Sequence, residues 1–405
     1  MKSKKILFIT LLRIDSLSSR GLYNEVLQKF AEAKHEIYIV CPNERRYKEK
    51  SKFFVEENVK ILSVKTLNIQ KTNLIEKGIS TITIEYLFLF AIKKYFKDID
   101  FDLVIYSTPP ITFSKVIKYI KNKTGAFSYL LLKDIFPQNA IDMKFFKKNG
   151  LLHKYFQKKE KELYRISDKI GCMSKANLEY IKFHNPYLNF SKLEINPNTI
   201  TPCYIEYSSS QKETVKLKYS IPNNKKIFVY GGNLGKPQGL NFLLSTIIET
   251  KRSDVFFLVI GSGTEYSRIN KWFKNKSPKN AMLMSFLPKK DYDLLLAACD
   301  VGLIFLSKNF TIPNYPSRLL SYLEMKMPVI AATDVNTDIG VDIEKNKCGF
   351  SVISGNMKEM QEAINQIMNN IVNSKKMNQN AWNFLQREFK SERSYKLIMN
   401  SLNEK

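Results

Sequence analysis

Two series of short apolar runs, separated by amphipathic helical patterns, constrain the fold of this 405-residue chain more than any other feature. The first half contains KILFIT, EIYIVCP, VKILSV, DLVIYSTPP and AFSYLLLKDIF. The second half contains KIFVYGG, VFFLVIGSG, AMLMSFLP, VGLIFL, PVIAA and CGFSVIS. Apolar runs that alternate with helices are typical of parallel strands buried on both faces. The sequence therefore predicts an α/β fold of two doubly wound, Rossmann-like domains that face each other across a cleft.

The alternation lapses once, in a polar stretch rich in turn residues. We predict an N-terminal domain at 1–200, a linker at 201–222 and a C-terminal domain at 223–387. A C-terminal helix at 388–405 could pack back on the N-terminal domain. The chain is long enough for each domain to bury its own core.

The composition is strongly basic, with 64 Lys and Arg against 38 Asp and Glu and a net charge of +26. Such a surface attracts nucleic acid, acidic substrates or an anionic membrane. A lysine-rich proteome would explain the lysines but not the shortage of acids. Five scattered cysteines predict no disulfide framework or zinc site and suit a reducing cytosol, and three histidines disfavour a histidine metal site.

Neither apolar candidate for a membrane or export segment is long enough. The apolar region that begins in MKSKKILFIT ends at Leu12, before Arg13 and Asp15, and is too short for a signal peptide. ISTITIEYLFLFAI, from Ile79, is interrupted by Glu85 and falls short of the roughly 18 to 20 residues that a span needs. We expect a soluble or peripheral protein.

The stretch YGGNLGKPQGL ends an apolar run in glycines and then begins a helix near Gln238. Gly231 and Gly232 permit a tight turn and a close approach to a ligand, while a helix N-terminus and Lys236 favour an anion. This pattern predicts a phosphate or diphosphate pocket. The spacing and Pro237 do not fit a Walker loop, so ATP hydrolysis is disfavoured.

Two further loops follow predicted strands of the same domain. GSGTE, from Gly261, lacks the third glycine and the acidic residue of a dinucleotide fingerprint, which disfavours a nicotinamide cofactor. In NFTIPNYPSRLLSYLEMK, Pro316 suits a first helical turn and places Ser317 and Arg318 at a helix start. Arg318 can make paired bonds to a phosphate, although such a residue is equally common at an exposed helix start.

In this order, the motifs YGGNLGKPQGL, VIGSGTE, FLPKKDYDLLLAACDVGLIFL and PSRLLSYLEMKMPVIA resemble the C-terminal domain of family 4 retaining glycosyltransferases of the GT-B fold. KDIFPQNAIDM and NPNTI resemble segments of the N-terminal domain in a subgroup of O-antigen and capsule enzymes that includes N-acetylfucosamine transferases. The resemblance spans nearly the whole chain. It implies a hexosyltransferase that moves an N-acetylated or deoxy sugar from a UDP-sugar to a lipid-linked saccharide, with retention and without a metal or another cofactor.

The same resemblance implies roles for residues of the predicted loops. Gly232, Asn233 and Lys236 would cradle the diphosphate, and Ser317 and Arg318 would meet its phosphate end. The remaining donor residues would lie near the nucleoside: Gly261, Gly263 and Glu265, with Phe286 and Leu287 beside the base.

The chain departs from the family pattern where ribose and diphosphate are held. Many members carry a glutamate seven residues before the proline of the PVIA-like strand, where this chain has Ser321; the earlier glutamate position is Pro313. Glu324 lies about one helical turn beyond Ser321 and need not replace it. The usual arginine of the glycine loop is Asn233 and its usual lysine is Gln238, so the pattern leaves open how the ribose is held.

Catalysis with retention requires stabilisation of an oxocarbenium-like centre and of the departing diphosphate. We predict that Lys236 and Arg318 perform the electrostatic task and that Asp134 orients the acceptor or the sugar; a capping role for Asp134 in its own turn is an equal alternative. Ser19 and Gly21, before the first helix, would line the acceptor side.

A basic and apolar run suggests where a membrane could bind. Its lysines are Lys144, Lys147, Lys148, Lys154, Lys158 and Lys159, and its apolar residues are Phe145, Phe146, Leu151, Leu152 and Phe156. The mixture could rest on anionic lipid at the cytoplasmic face of a bacterial plasma membrane, or it could be a solvated helix face.

Two other functions fit part of the sequence. A UDP-N-acetylhexosamine 2-epimerase shares the architecture but would need acid/base carboxylates and histidines, and this chain is poor in histidine. A nucleic-acid-binding protein would fit the charge but not the two glycine-edged sheets, and no nucleic-acid-binding motif is evident.

Overall fold

The computed structural model describes residues 2–69, 72–369 and 371–404. The chain divides into two compact units. The first unit comprises Met1–Thr201 with Lys390–Lys405, and the second comprises Pro202–Phe389. Each unit is an α/β structure with its own sheet, as the alternating apolar runs predict.

The first unit contains an eight-stranded sheet in the order β3-β4-β2-β1-β5-β6-β7-β8, in which only β3 is antiparallel to its neighbour. The strands are β1 (Lys5–Ile9), β2 (Glu36–Glu44), β3 (Lys52–Glu56), β4 (Val59–Thr66), β5 (Leu103–Ser107), β6 (Phe127–Leu132), β7 (Lys169–Cys172) and β8 (Leu193–Ile195). Every residue of β5 and β6 is buried, so both faces of the sheet are covered there.

The helices of the first unit follow the strands in alternation. They are α1 (Leu22–Glu32), α2 (Leu74–Tyr95), α3 (Ser114–Thr124), α4 (Gln138–Asp142), α5 (Leu151–Ile166) and α6 (Lys175–His184), with 3-10 turns at Arg45–Tyr47 and Phe190–Lys192. No helix in the described ranges has the length and hydropathy to cross a bilayer.

The second unit contains a six-stranded parallel sheet in the order β11-β10-β9-β12-β13-β14. The strands are β9 (Lys226–Asn233), β10 (Val255–Ser262), β11 (Ala281–Met284), β12 (Val301–Phe305), β13 (Val329–Thr333) and β14 (Gly349–Ile353). The order reverses at β9, which lies between β10 and β12. Ligands of such sheets bind outside the carboxyl ends of the strands at this reversal.

The stretch predicted as a linker, 201–222, contains helix α7 (Ser209–Lys218). The Ser208 hydroxyl accepts a hydrogen bond from the Gln211 amide, while the Gln211 side chain accepts one from the Ser208 amide. This capping box begins the helix, and Val215 is buried on its inner side. The stretch SSSQKE is polar, so the sequence shows no apolar pattern from which the start of α7 could be predicted.

The remaining helices of the second unit are α8 (Leu240–Glu249), α9 (Tyr266–Lys276), α10 (Lys289–Leu296), α11 (Arg318–Glu324), α12 (Ile339–Lys345), α13 (Met357–Asn369) and α14 (Ile371–Glu388), with a 3-10 turn at Lys236–Gln238. The chain then returns to the first unit as α15 (Ser391–Asn403). Ile398 and Met399 of α15 belong to the core of the first unit, and Tyr395 packs edge-on against Phe30 of α1 at a centroid distance of 4.8 Å.

The basic run at 144–159 does not present all of its predicted residues to solvent. Phe156 is buried, and Lys159 is buried in an ion pair with Glu85 at 3.0 Å. Both lie on the inner side of α5, because Phe156, Lys159 and Leu163 recur at helical spacing. Phe145, Leu151 and Leu152 remain exposed.

Candidate functional site

Two glycine loops meet at the reversal of the second sheet. Strands β9 and β10 remain paired through their glycines, so that Gly232 lies opposite Gly261 and Asn233 lies opposite Ser262. The loops read as YGGN and GSG are therefore neighbours at the carboxyl edge of the sheet. The sequence identified both loops but could not give this register.

The two glycines at this edge are required for different reasons. Gly232 has φ of +122°, which strains any other residue, although a Cβ there would make only an ordinary 3.6 Å contact with the guanidinium carbon of Arg318. A Cβ on Gly261 would collide with the carbonyl oxygen of Gly232. A side chain at position 261 would therefore push the two loops apart.

Arg318, the first residue of α11, lies over this junction. Its guanidinium carbon is 4.4 Å from the centre of the Tyr230 ring, and its Nη2 donates to Gln238 Oε1 at 2.6 Å. The Tyr230 hydroxyl donates in turn to the carbonyl of Asn233 at 2.8 Å. The ring stacking and the amide fix the plane of the guanidinium.

The two terminal nitrogens of the Arg318 guanidinium differ in their hydrogen bonding. Nη1 is buried and has no hydrogen-bond partner among the described residues. Burial acts to lower the pKa of Arg318, but the Tyr230 and Tyr322 side chains outweigh it and raise the pKa above its ordinary value. A permanent cation with an unsatisfied donor at the carboxyl edge of a parallel sheet is suited to bind an anion.

Helix α11 is locked to the sheet by Tyr322, one helical turn beyond Arg318. The Tyr322 hydroxyl accepts from the Gly231 amide at 3.0 Å and donates to the Leu303 carbonyl at 3.2 Å. Sequence reasoning missed Tyr230 and Tyr322 as parts of the site, and it noted Gln238 only as a residue near a helix start and at the usual lysine position of the glycine loop. The i, i+4 spacing of Arg318 and Tyr322 could have indicated that both lie on one face of α11. No sequence pattern indicated the contact between Arg318 and Gln238.

The other predicted phosphate residues surround this junction with exposed side chains. Asn233 and Lys236 are exposed, and Asn233 Oδ1 lies beside Gly263. Ser317 is the exposed N-cap of α11 and makes no capping bond through its side chain. Helix α8 begins at Leu240 rather than near Gln238, because a 3-10 turn precedes it.

The residues predicted to hold the nucleoside are more dispersed. Glu265 is the N-cap of α9, and its carboxylate binds Arg268 at 2.6 Å. Phe286 is 67% exposed and Leu287 is half-buried, both after the edge strand β11. Ser321 lies half-buried on α11.

Glu324 is buried and accepts a hydrogen bond from the Cys203 amide at 2.8 Å. This bond fixes the start of the second unit to α11. The glutamate nearest to Ser321 in sequence is therefore occupied by a backbone contact, and the structure offers no carboxylate from this helix turn in place of Ser321.

In the first unit, Asp134 follows β6 and is held by a dense set of bonds. Its backbone amide donates to Thr108 Oγ1 at 3.1 Å, the Thr108 hydroxyl donates to the Asp134 carbonyl at 3.0 Å, and Asn139 Nδ2 donates to Asp134 Oδ2 at 2.6 Å. Burial raises the pKa of Asp134 to about 6. A carboxyl group with this pKa changes charge about one pH unit below neutrality.

Lys133, beside Asp134, is a second ionisable group that sequence reasoning missed. Its Nζ donates to the Asn196 carbonyl at 3.1 Å, and burial lowers its pKa to about 7. The strand ends of β5, β6 and β8 thus carry two groups with pKa values near neutrality. The signal available in the sequence was a lysine and an aspartate directly after a buried apolar run.

Ser19 and Gly21 lie in a bonded turn before α1. Asn24 Nδ2 donates to Ser19 Oγ at 2.9 Å and to the carbonyls of Ser16 and Ser19 at 3.0 Å. Gly21 is extended, with φ of 179°, and a Cβ there would make an ordinary 3.7 Å contact with Asn24. Sterically, other residues could occupy position 21.

Within the described ranges, no three His, Cys, Asp or Glu side chains cluster as metal ligands would.

A comparison with known protein families shows which family the second unit matches. Residues 211–384 match the family described as glycosyl transferases group 1. The second unit is a group 1 glycosyltransferase domain. Its glycine loops, Arg318 and α11 all fall within the matched residues, and this assignment favours a transferase over an epimerase or a nucleic-acid-binding protein.

Individual proteins that are similar to this chain cover more of it than the family match does. A Pseudomonas aeruginosa protein named "Probable glycosyltransferase WbjE" is 22% identical over 290 residues, which are 69% of each chain. The solved structure of Anabaena HepE in complex with UDP has a TM-score of 0.70 at 13% identity, covering 99% of this chain and 100% of HepE. That of WaaG, a glycosyltransferase of lipopolysaccharide biosynthesis, has a TM-score of 0.67 at 12% identity, covering 97% and 99%. The predicted GT-B fold is confirmed.

Proposed function

We propose that the chain is a retaining, metal-independent glycosyltransferase of family 4 that moves an N-acetylated or deoxy hexose from a UDP-sugar to a lipid-linked saccharide. The product would enter capsule or O-antigen polysaccharide at the cytoplasmic face of a bacterial plasma membrane. The likeness to WaaG, a glycosyltransferase of lipopolysaccharide biosynthesis, supports the envelope role, and the HepE complex supports UDP as the nucleotide.

The observation that carries this proposal is the guanidinium of Arg318. It is held by Tyr230 and Gln238 beside the exposed Gly232, and it keeps one buried donor unpaired. A diphosphate oxygen would satisfy that donor with a charge-assisted bond. Lys236 and Asn233, both exposed near the same loop, would complete the phosphate contacts.

These groups have the chemistry that sugar transfer requires. As the bond from the sugar to the diphosphate breaks, negative charge grows on the leaving phosphate, and a preorganised cation stabilises that charge more than it stabilises the bound donor. We assign this task to Arg318 and Lys236 in place of a metal ion. Asp134, ionised above pH 6, would orient the acceptor or the sugar.

Nucleotide binding tests the proposal directly. We expect UDP to raise the melting temperature of the full chain more than GDP, ADP or NAD does. Arg318→Ala should weaken UDP binding by roughly 10- to 100-fold, the usual value of a charge-assisted hydrogen bond. Arg318→Lys should recover part of the loss, because it keeps the charge without the planar fork.

Arg387→Ala is the matched control, because it removes an exposed arginine of the second unit that pairs with Glu388 and has no predicted role in the site. It should bind UDP as the wild type does. Equal UDP affinity in Arg318→Ala and wild type, measured by titration calorimetry, would refute the assigned role, and the absence of binding by any nucleotide would refute the donor class.

A further inference from the structure

Helix α2 of the first unit carries an apolar stripe on its exposed side. The stripe consists of Ile75, Ile79, Ile82, Tyr86 and Phe90, at spacings of four, three, four and four residues. This spacing places them along one face for roughly 22 Å, and Ile75 and Phe90 are 77% and 71% exposed. A helix on the surface of a soluble domain normally has polar residues there.

The inner side of α2 is also apolar, and it contains the one charge that interrupts this segment in the sequence. Glu85 is buried, with its carboxylate binding Lys159 Nζ at 3.0 Å and the Lys115 amide at 2.6 Å. Because Glu85 points inward, it does not interrupt the α2 stripe. The outer face therefore needs a cover that the described residues do not provide.

Cations border the stripe. Lys93 and Lys94 are exposed at its C-terminal end, and Lys115 of the adjacent α3 donates to the Tyr86 hydroxyl at 2.6 Å. Helix α3 has no acidic residue, and Glu76, the other acid of α2, pairs with Arg45 at 3.1 Å. The border of the stripe is thus positively charged.

We propose that the α2 stripe inserts into the interface of an anionic lipid bilayer, with the bordering lysines at the headgroups. Isoleucines and aromatic residues would enter the acyl boundary, while lysine stems extend along it and place their charges at phosphate. A second copy of this chain is a poorer occupant, because it would bring lysines against lysines in a molecule of net charge +26. Exposed Leu151 and Leu152 begin α5, which Lys159 ties to α2.

The α2 stripe thus replaces the run at 144–159 as the principal membrane surface. It does not depend on the donor site, so vesicle binding tests it without any measurement of transfer.

The test is flotation of the full chain with vesicles of phosphatidylcholine alone or mixed in equal parts with phosphatidylglycerol. The variant Ile79→Gln, Ile82→Gln, Phe90→Gln removes apolar surface without touching the core. The matched control Leu217→Gln, Ile248→Gln, Val341→Gln changes three exposed apolar residues of the second unit. A third variant, Lys93→Gln, Lys94→Gln, Lys115→Gln, removes the cations.

We expect wild type and control to bind the phosphatidylglycerol vesicles, and both the stripe and lysine variants to bind at least about tenfold more weakly. All four proteins should keep the melting-temperature shift with UDP, which separates this proposal from the donor site. Wild-type binding by the stripe variant, or no binding by wild type, would overturn the proposal. So would a wild-type dimer that the stripe variant converts to a monomer, because a second copy would then cover the stripe.

Discussion

Asp134 shows how burial at the strand ends of the first unit changes the pKa of a carboxyl group. Its folded-state pKa of about 6 lies above the ordinary 3.8, because burial disfavours the carboxylate. Ionisation therefore costs stability. This cost in the free energy of unfolding is absent below about pH 4, grows between about pH 4 and pH 6, and is complete above about pH 6.

Asp134→Asn should consequently stabilise the first unit at high pH and change little near pH 4. The gain at pH 8 should not exceed about 3 kcal/mol in the free energy of unfolding, the value of the pKa difference. Urea denaturation at the two pH values checks this, with the exposed Asp100→Asn as control. An equal loss of stability at both pH values would contradict the raised pKa, whereas loss of transfer with gain of stability would fit a functional role.

At the scale of single residues, the spacing of residues in the sequence identified some residues of the candidate site but not others. Arg318 could be predicted because a proline and a serine mark its helix start. Its partner Gln238 lies 80 residues earlier, and only the sheet order brings the two side chains together. The inward position of Glu85 was hidden for the same reason, since Lys159 reaches it from α5.

At the scale of elements, α11 is a short helix whose position is set by one buried hydroxyl. Tyr322 joins the Gly231 amide of β9 to the Leu303 carbonyl of β12. Without that hydroxyl, a buried amide would lose its acceptor, and the free energy of unfolding should fall by about 1–3 kcal/mol.

We therefore expect Tyr322→Phe to lower the melting temperature of the second unit and to weaken UDP binding, because α11 also positions Arg318. Tyr86→Phe, which removes an exposed hydroxyl of the first unit, should change neither. Scanning calorimetry with and without UDP measures both effects. An unchanged melting temperature in Tyr322→Phe would show that the hydroxyl does not position α11.

The elements themselves were predictable where burial gave long apolar runs, as for β1, β5, β6, β9 and β10. Strand β3 was missed because it is an edge strand formed by a hairpin, whose two turn residues, Glu57 and Asn58, have φ of +47° and +68°. Strands β7 and β8 have only four and three residues, too short to show a pattern.

At the scale of the whole molecule, the charge of +26 should add a salt-dependent component to membrane binding. The Debye length falls from about 10 Å at 0.1 M salt to about 3 Å at 1 M. We expect vesicle binding of the wild type to weaken across this range but to persist in part, since the α2 stripe contributes apolar contact.

In the stripe variant, the residual binding should disappear at high salt. Flotation in a salt series checks this. Complete loss of wild-type binding at 1 M salt would show that charge alone holds the protein on the vesicle. UDP binding that is still measurable at 1 M salt would show that the second unit remains folded.

The first unit is formed by two separate segments of the chain, so the two units are completed at different times during synthesis. The second unit is continuous, so all of it has left the ribosome before Lys390 does. The first unit lacks α15 until then, although Ile398 and Met399 belong to its core and Ser391 bonds to Thr201 at 2.6 Å. A chain released near residue 390 would therefore contain the whole second unit together with an N-terminal unit that still exposes part of its core, a state open to chaperones and proteases.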